Sequence, residues 1–396
     1  MSKHIEFKRI SPDDDSLYVT KDLCINGKKL TTPIKSLNLS KTNSKLLFND
    51  KTKGINELYK RFSLNKDSKK NAIFNVLNTP DKLDKLNYEL NSLTRKTDTD
   101  TEINILFIEY DDTKYPEKKP LEFILDTSYE YSDITPLPIV PKLPQRINSE
   151  SEFQKYITFL EESIEIIETL NHKPIMGIVP PTLLFIPEII DFYAKKEIDS
   201  FVFDFDGKTP LSMRQTIRSF MRSLKEHDLL ENSFIHSINA NQGRFNKDAN
   251  VVGAKDILSF GLGFDSMGER HKPLKGPKEF FEKLQNRDEN KLRLFNKEDY
   301  GYYKISPNEI QDVYPKDSII KMDSFANENL DLRNLQKSFN LEQIGLETLR
   351  LREIINEQSA LEYLSNKPLV KKEDYKKIAR MKKEISRKQT QLSLFR

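Results

Sequence analysis

The sequence contains a single cysteine, Cys24, which excludes a disulfide framework and any zinc site built from several thiolates. A lone free cysteine behaves as a small hydrophobe, and Cys24 reads as one. Net charge is nearly absent: 64 Lys and Arg stand against 61 Asp and Glu, leaving +3. No global field argues for nucleic acid, so any such binding must come from local patches. Long apolar runs are missing as well. None approaches the ~20 residues needed to cross a bilayer, and the opening Met1-Ser-Lys-His-Ile-Glu6 lacks an apolar signal segment. The expectation is a soluble, cytoplasmic protein with no membrane partner. Its 396 residues suffice for a large core and an additional domain.

Four short apolar runs organise what is present: Ile175–Val179, Phe201–Phe205, Phe234–Ile238 and Ile257–Leu262. Each is short, rich in β-branched or aromatic residues and bounded by Pro, Gly, Asn or Asp, which predicts strands. Their starts are separated by 26, 33 and 23 residues, a spacing that suits consecutive βα units. Between the second and third runs, Met213, Ile217, Phe220, Met221 and Leu224 share one helical face. Nearly continuous apolar strands fit a parallel sheet covered by helices.

Further strands are predicted at Thr32–Leu39, Ile103–Ile108, Leu121–Asp126 and Leu137–Val140. Eight strands with helical segments between them suit a (β/α)8 TIM-like barrel over residues 1–275; an open doubly wound sheet is the alternative. The first 30 residues suggest a hairpin around Asn26-Gly27. A Lys/Asn/Asp-rich tract near 41–102, with helical patches at Ile55–Phe62 and Leu83–Leu93, reads as an insertion or a small helical subdomain. Glu152–Leu170 is a helix with Phe153, Tyr156, Ile157, Leu160 and Ile164 along one stripe. Residues 276–388 form a mostly helical C-terminal extension. Ten Lys and Arg against three Asp and Glu between Lys371 and Arg396 read either as a solvated helix or as a phosphate-contacting arm.

Polar residues cluster where the strands end. Asp204, Asp206 and Gly207 close the second run; Asn239, Asn241 and Gly243 close the third. Gly261, Gly263, Asp265, Gly268, His271 and Lys272 surround the end of the fourth. The carboxyl ends of parallel strands form the site face in such folds. The competing explanation is that Asp and Asn cap helices while Gly serves turns. Asp126, Asp204, Asp206 and Asp265 are the candidate catalytic carboxylates. Asn239, Asn241, Gly243, Gly261, Gly263, His271 and Lys272 are candidates for contacting a base or phosphate. His236 lies within a strand and reads equally as a core histidine. No cofactor is implied. Asp204 and Asp206 alone do not define a metal site, since Mg²⁺ needs further oxygen ligands.

In the ordering of these segments the chain resembles the tRNA-guanine transglycosylase superfamily. Thr32-Pro33-Ile34 is similar to that family's first strand, and Leu125-Asp126-Thr127-Ser128 to the segment holding its substrate-binding aspartate. Met176-Gly177-Ile178-Val179 resembles its fifth-strand motif, with Pro180 where a base-recognising Gln is expected. Asp256-Ile257-Leu258-Ser259 resembles its last-strand motif, with Ser259 in place of the nucleophilic Asp. The family's zinc ligands are absent. The resemblance implies a barrel enzyme that exchanges guanine in nucleic acid for a 7-deazaguanine. Such chemistry needs a carboxylate near the sugar C1′ and a second acid or base for the departing purine. The alternative is a non-catalytic DNA- or clamp-binding protein on a barrel scaffold.

The tail bears on that choice. Residues 389–396 resemble the peptide by which replication and repair proteins hook onto the DNA sliding clamp. Gln389, Leu392 and Phe395 occupy its pattern, while Arg396 replaces the second aromatic. A tail of this kind seats an aliphatic and an aromatic plug in a preformed pocket. It implies a sliding clamp as partner and favours DNA over tRNA.

Overall fold

The computed structural model describes residues 4–43, 52–63, 73–170, 172–181, 184–246, 249–272, 291–326 and 331–386. The tail carrying Gln389, Leu392 and Phe395 lies outside the described residues. Among those described, no helix is long and apolar enough to cross a membrane.

The chain is an α/β protein with parallel and antiparallel sheets. It opens with an antiparallel sheet of β1 (Glu6–Pro12), β2 (Val19–Ile25) and β3 (Lys28–Thr31). The expected turn sits at Asn26-Gly27, where both residues take positive φ, as a two-residue hairpin requires. β4 (Ile34–Lys35) and β5 (Leu37–Asn38) follow, then β6 (Ile55–Phe62), α1 (Ile73–Leu77), α2 (Pro80–Thr94) and β7 (Ile103–Tyr110). Next come α3 (Lys118–Tyr131), β8 (Thr135–Pro136), α4 (Glu150–Leu170), β9 (Ile175–Val179), α5 (Ile186–Lys195) and β10 (Ser200–Asp204). α6 (Arg214–Glu226), β11 (Phe234–Ile238), β12 (Val251–Gly253) and β13 (Ser266–Met267) complete this part of the chain.

β4-β13-β11-β10-β9-β8 form one parallel sheet, and β5-β6-β7 form another. Only Ser36 separates β4 from β5. On the other side, Glu109 of β7 makes a parallel bridge to Ile139, just past β8. Helices cover the outer faces: Phe220 of α6 meets Phe201 and Phe203 of β10, and Tyr193 of α5 meets Phe201. The N-terminal sheet is tied to residues that precede the strands, through Lys28 to Asp133, Lys21 to Asp265 and the Ile5 amide to Asp199. It therefore covers the amino ends and leaves the carboxyl ends to the loops.

Three expected strands, Ile175–Val179, Phe201–Phe205 and Phe234–Ile238, are adjacent and parallel as β9-β10-β11. The fourth is corrected. Ile257–Leu262 is a 3-10 helix, buried throughout and ended by Gly263 at φ 95°, and the strand is Ser266–Met267. A short run buried on all sides carries no periodicity that separates strand from helix. Leu121–Asp126 is likewise not a strand but part of α3. Leu121, Ile124, Leu125 and Ser128 are its buried face, at the i, i+3, i+4, i+7 spacing of a helix. The tract at 41–102 is not a simple insertion: Ile55–Phe62 is a strand paired along its whole length with β7, followed by helices. The expected helix at Leu83–Leu93 is present within α2.

The C-terminal extension carries strands as well as helices. β14 (Leu292–Asn296) and β15 (Gly301–Ile305) form a hairpin that pairs antiparallel with β12. α7 (Leu332–Asn356) packs beside it, with Gln336 and Asn340 accepting from the Arg293 and Phe295 amides. α8 (Ala360–Ser365) leads to the expected basic helix, α9 (Lys372–Ser386). Glu384 of α9 pairs with Arg214 of α6, and Asp374 pairs with Lys255.

Candidate functional site

The alternation of a strand sends every second side chain to one face. On β6 that rule places Glu57, Tyr59 and Arg61 on the inner face, and on β7 it places Phe107 and Glu109 there. His236 of β11 and Asp204 of β10 face the same interior, as their contacts show. Glu57 is fully buried, with Oε1 3.0 Å from His236 Nε2 and Oε2 2.5 Å from His271 Nε2. Ser36 Oγ donates to Oε1, and the Glu269 amide donates to Oε2 at 3.1 Å. His236 Nε2 makes no well-aligned hydrogen bond, so this approach is a close polar contact. Burial by itself would raise the Glu57 pKa, but the two imidazoles outweigh it and hold the carboxyl well below its ordinary range.

Aromatic faces fix the imidazoles. Tyr59 stacks on His271 with ring centres 4.4 Å apart and planes 2° from parallel, and Phe107 stacks on His236 at 5.5 Å. Tyr59 donates its hydroxyl to Glu109, which also pairs with Arg61 at 3.0 Å. Burial, then the Glu109 charge, raises the Tyr59 pKa, so the phenol stays protonated.

The segment Gly268–Lys272 crosses this end of the sheet. Asn239, at φ 60°, clamps it: Oδ1 accepts from the amides of His271 (2.9 Å) and Lys272 (3.1 Å), while Nδ2 donates to Asp204 (2.9 Å). Lys272 reaches Asp204 at 3.2 Å and Asp206 more closely. Its burial would lower the ammonium pKa, but the two carboxylates outweigh that and raise it. Gly268 lies so close to the Ser237 carbonyl and Glu57 Oε1 that a Cβ would collide with both. Gly268→Ala is therefore expected to cost about 1–3 kcal/mol of stability, measurable by urea denaturation.

Two cavities open at the carboxyl ends. One, of about 830 Å³, is a broad groove lined by Lys208, Arg244, Lys255, Lys371 and Lys377, with Asp374 the one carboxylate among the described residues that line it. The other, of about 180 Å³, lies beside Lys35, Asp256, Glu269 and Arg293. Asn241 lines both. Gly243, at φ 109°, lines the groove.

The expected site residues thus divide. Asp204, Asp206, Asn239, Asn241, Gly243, His271 and Lys272 meet at the carboxyl ends. Asp126 does not: it is exposed on α3. Asp265 is fully buried at the amino end of β13, paired with Lys21 at 3.0 Å. Gly263 ends the 3-10 helix and lines a cavity beside the N-terminal sheet. Gly261 gives room to Ile378 and Tyr18. Ser259 is fully buried in the 3-10 helix. Glu57 and Arg61 are the central residues not legible in the sequence, because Ile55–Phe62 reads as helical; Glu109 stands at the end of the expected strand, on β7.

Among the described residues, no group of three or more His, Cys, Asp and Glu side chains is arranged to hold a metal ion. No protein-family model matches the chain, and no curated protein matches it.

Proposed function

We propose that this chain is a nucleic-acid-binding protein built on a closed (β/α)8 barrel, with the backbone of the polymer lying in the basic groove. The carrying observation is the groove itself: five cationic side chains, of which Lys208, Arg244 and Lys371 are exposed, against Asp374. This is the local patch that a chain of net charge +3 needs, since phosphate contacts are electrostatic and largely independent of sequence. Closure of the barrel is supported by the continuity of β4 and β5 across Ser36 and by the bridge from Glu109 to Ile139. DNA is the preferred polymer because Gln389, Leu392 and Phe395 resemble a clamp-binding peptide.

The test is fluorescence anisotropy with single-stranded DNA, duplex DNA and tRNA over a range of salt. A Lys208→Gln, Arg244→Gln, Lys371→Gln variant should bind more weakly. Its slope of log K against log salt should be shallower by about 2–3, given roughly 0.7–0.9 per phosphate contact. An unchanged affinity and slope would remove the groove as the binding surface.

A second reading, base exchange with a 7-deazaguanine, draws support from Asp204, Asp206 and Lys272. These lie together at the strand ends, and the Asp206 side chain is 28% exposed, so a sugar could approach it. Asp206 would then be the nucleophile, with Lys272 the side chain that positions it. In that case labelled guanine enters nucleic acid with the natural chain and not with Asp206→Asn. Incorporation that survives the substitution, or never occurs, sinks this reading and leaves the binding one intact.

A further inference from the structure

We propose that the smaller cavity, between the carboxyl ends of β5, β11 and β13 and the flank of α7, is a binding site for a phosphomonoester. This goes beyond the groove reading and does not depend on it.

The cavity measures about 180 Å³, more than ten times the ~10–15 Å³ that one water requires, so a multi-atom group fits. Lys35, Lys41, Arg270, Arg293 and Lys337 line it. Among the described residues that line it, only Asp256 and Glu269 oppose them. Glu269 is already engaged by Lys35 at 2.6 Å and by Lys41 at 3.9 Å. The lining therefore retains a cationic excess suited to a dianion. A phosphodiester carries one charge, whereas a phosphomonoester carries nearly two at neutral pH.

Arg293 gives the site its specificity for an oxyanion. Its guanidinium is held between Phe245 and Tyr302, 4.9 and 4.8 Å from the ring centres. One terminal nitrogen donates to the Gly243 carbonyl at 3.0 Å, while Nε is buried with no hydrogen-bond partner. Among the described residues no carboxylate forms an ion pair with Arg293 or Arg270. A planar guanidinium in a fixed orientation offers a two-pronged donor set that matches phosphate. Burial lowers the Arg293 pKa, and an anion in the cavity would offset that cost.

Asp256 supplies a second recognition element. Its Oδ2 accepts from the Tyr302 hydroxyl at 2.8 Å, while Oδ1 is buried and without a partner. That oxygen is free to take a hydroxyl or amino donor from the organic part of the ligand. The location also suits the assignment, since phosphate sites in barrel folds recur at the loops after the last two strands. Ala240–Gln242 and Gly268–Arg270 are those loops here.

The experiment is calorimetric titration of the full chain with inorganic phosphate, a nucleoside 5′-monophosphate and the same nucleoside without phosphate. The first two should bind and the third should not. Arg270→Gln with Lys337→Gln, both on partly exposed positions, should weaken binding about tenfold or more without changing the melting temperature. Arg293→Lys keeps the charge but loses the planar fork, and should weaken it as well. Lys208→Gln with Arg244→Gln should leave it unchanged, which separates this site from the groove. Oligonucleotides with and without a 5′-phosphate identify the source. A preference for the phosphorylated end that Arg270→Gln, Lys337→Gln abolishes assigns a strand terminus; no preference, with the monophosphate still bound, assigns a free small molecule. Absence of saturable binding of both phosphate compounds at millimolar concentration overturns the proposal, as does binding indifferent to the Arg270 and Lys337 substitutions.

Discussion

Glu57→Ala is expected to destabilise the protein by about 3–5 kcal/mol, the cost of removing one partner from a buried charged network. Glu57 is fully buried, and its loss leaves His271, Ser36 and the Glu269 amide without the acceptor they share and His236 without the carboxylate beside it. Glu57→Gln keeps the shape and one acceptor oxygen, so its effect should be smaller. The pH dependence follows from the depressed pKa. A carboxyl held below its unfolded value of about 4.5 contributes stability that is fully present above that pH. The contribution is lost as pH falls through the folded value. The natural chain should therefore lose stability steeply in acid, and Glu57→Gln should flatten that limb. Denaturant midpoints measured from pH 7 down to 3 decide it; an acid limb of equal steepness in the variant would count against Glu57 as its source.

Lys21→Met is expected to be comparably damaging, again about 3–5 kcal/mol. Lys21 and Asp265 are both fully buried, 3.0 Å apart, and Lys21 also donates to the Ser233 carbonyl at 2.6 Å. Asp265 accepts in addition from the Ile235 amide at 2.8 Å. Burial already raises the Asp265 pKa despite Lys21, so removing the ammonium leaves a carboxylate with little compensation. The sign here is opposite to that of Glu57. An acid with a raised folded pKa costs stability as pH rises through the interval between its unfolded and folded values. The penalty of Lys21→Met should accordingly be smaller at pH 4 than at pH 7. Adding Asp265→Asn should restore much of the loss at pH 7, since replacing both partners of a buried pair is far milder than removing one. Equal losses at both pH values and no rescue would mean that Lys21 acts through packing of its stem alone.

The 3-10 helix before β13 explains why Asp265 lies away from the carboxyl ends. That aspartate stands two residues after a glycine in a polar cluster, which looks like a strand end. Once Ile257–Leu262 is a 3-10 helix, Asp265 falls before the strand and at the opposite end of the sheet. The error in one element moved a carboxylate across the molecule. Asp126 moved for the same reason, because Leu121–Asp126 belongs to a helix whose polar side faces out. Asp204, Asp206, Asn239, Asn241 and Lys272 were legible because each follows, by a few residues, a strand whose end they mark or a loop tied to it.

The sequence by itself determined the parallel strands β9, β10 and β11, the helices α2, α4 and α6, and the hairpin at Asn26-Gly27. Those elements are buried on a regular face, or turn on residues that tolerate positive φ, so their periodicity survives in one dimension. The polar interior was decided only in three dimensions. β6 carries Glu57, Tyr59 and Arg61 inward, and a strand whose inner side is charged shows no apolar alternation to read. Its partners, His236, His271, Ser36 and Glu109, come from segments up to 214 residues away in the chain. Whether a buried carboxylate is a cost or an anchor depends on which cations and donors the fold brings to it. That pairing is a property of the tertiary structure, and no local pattern carries it.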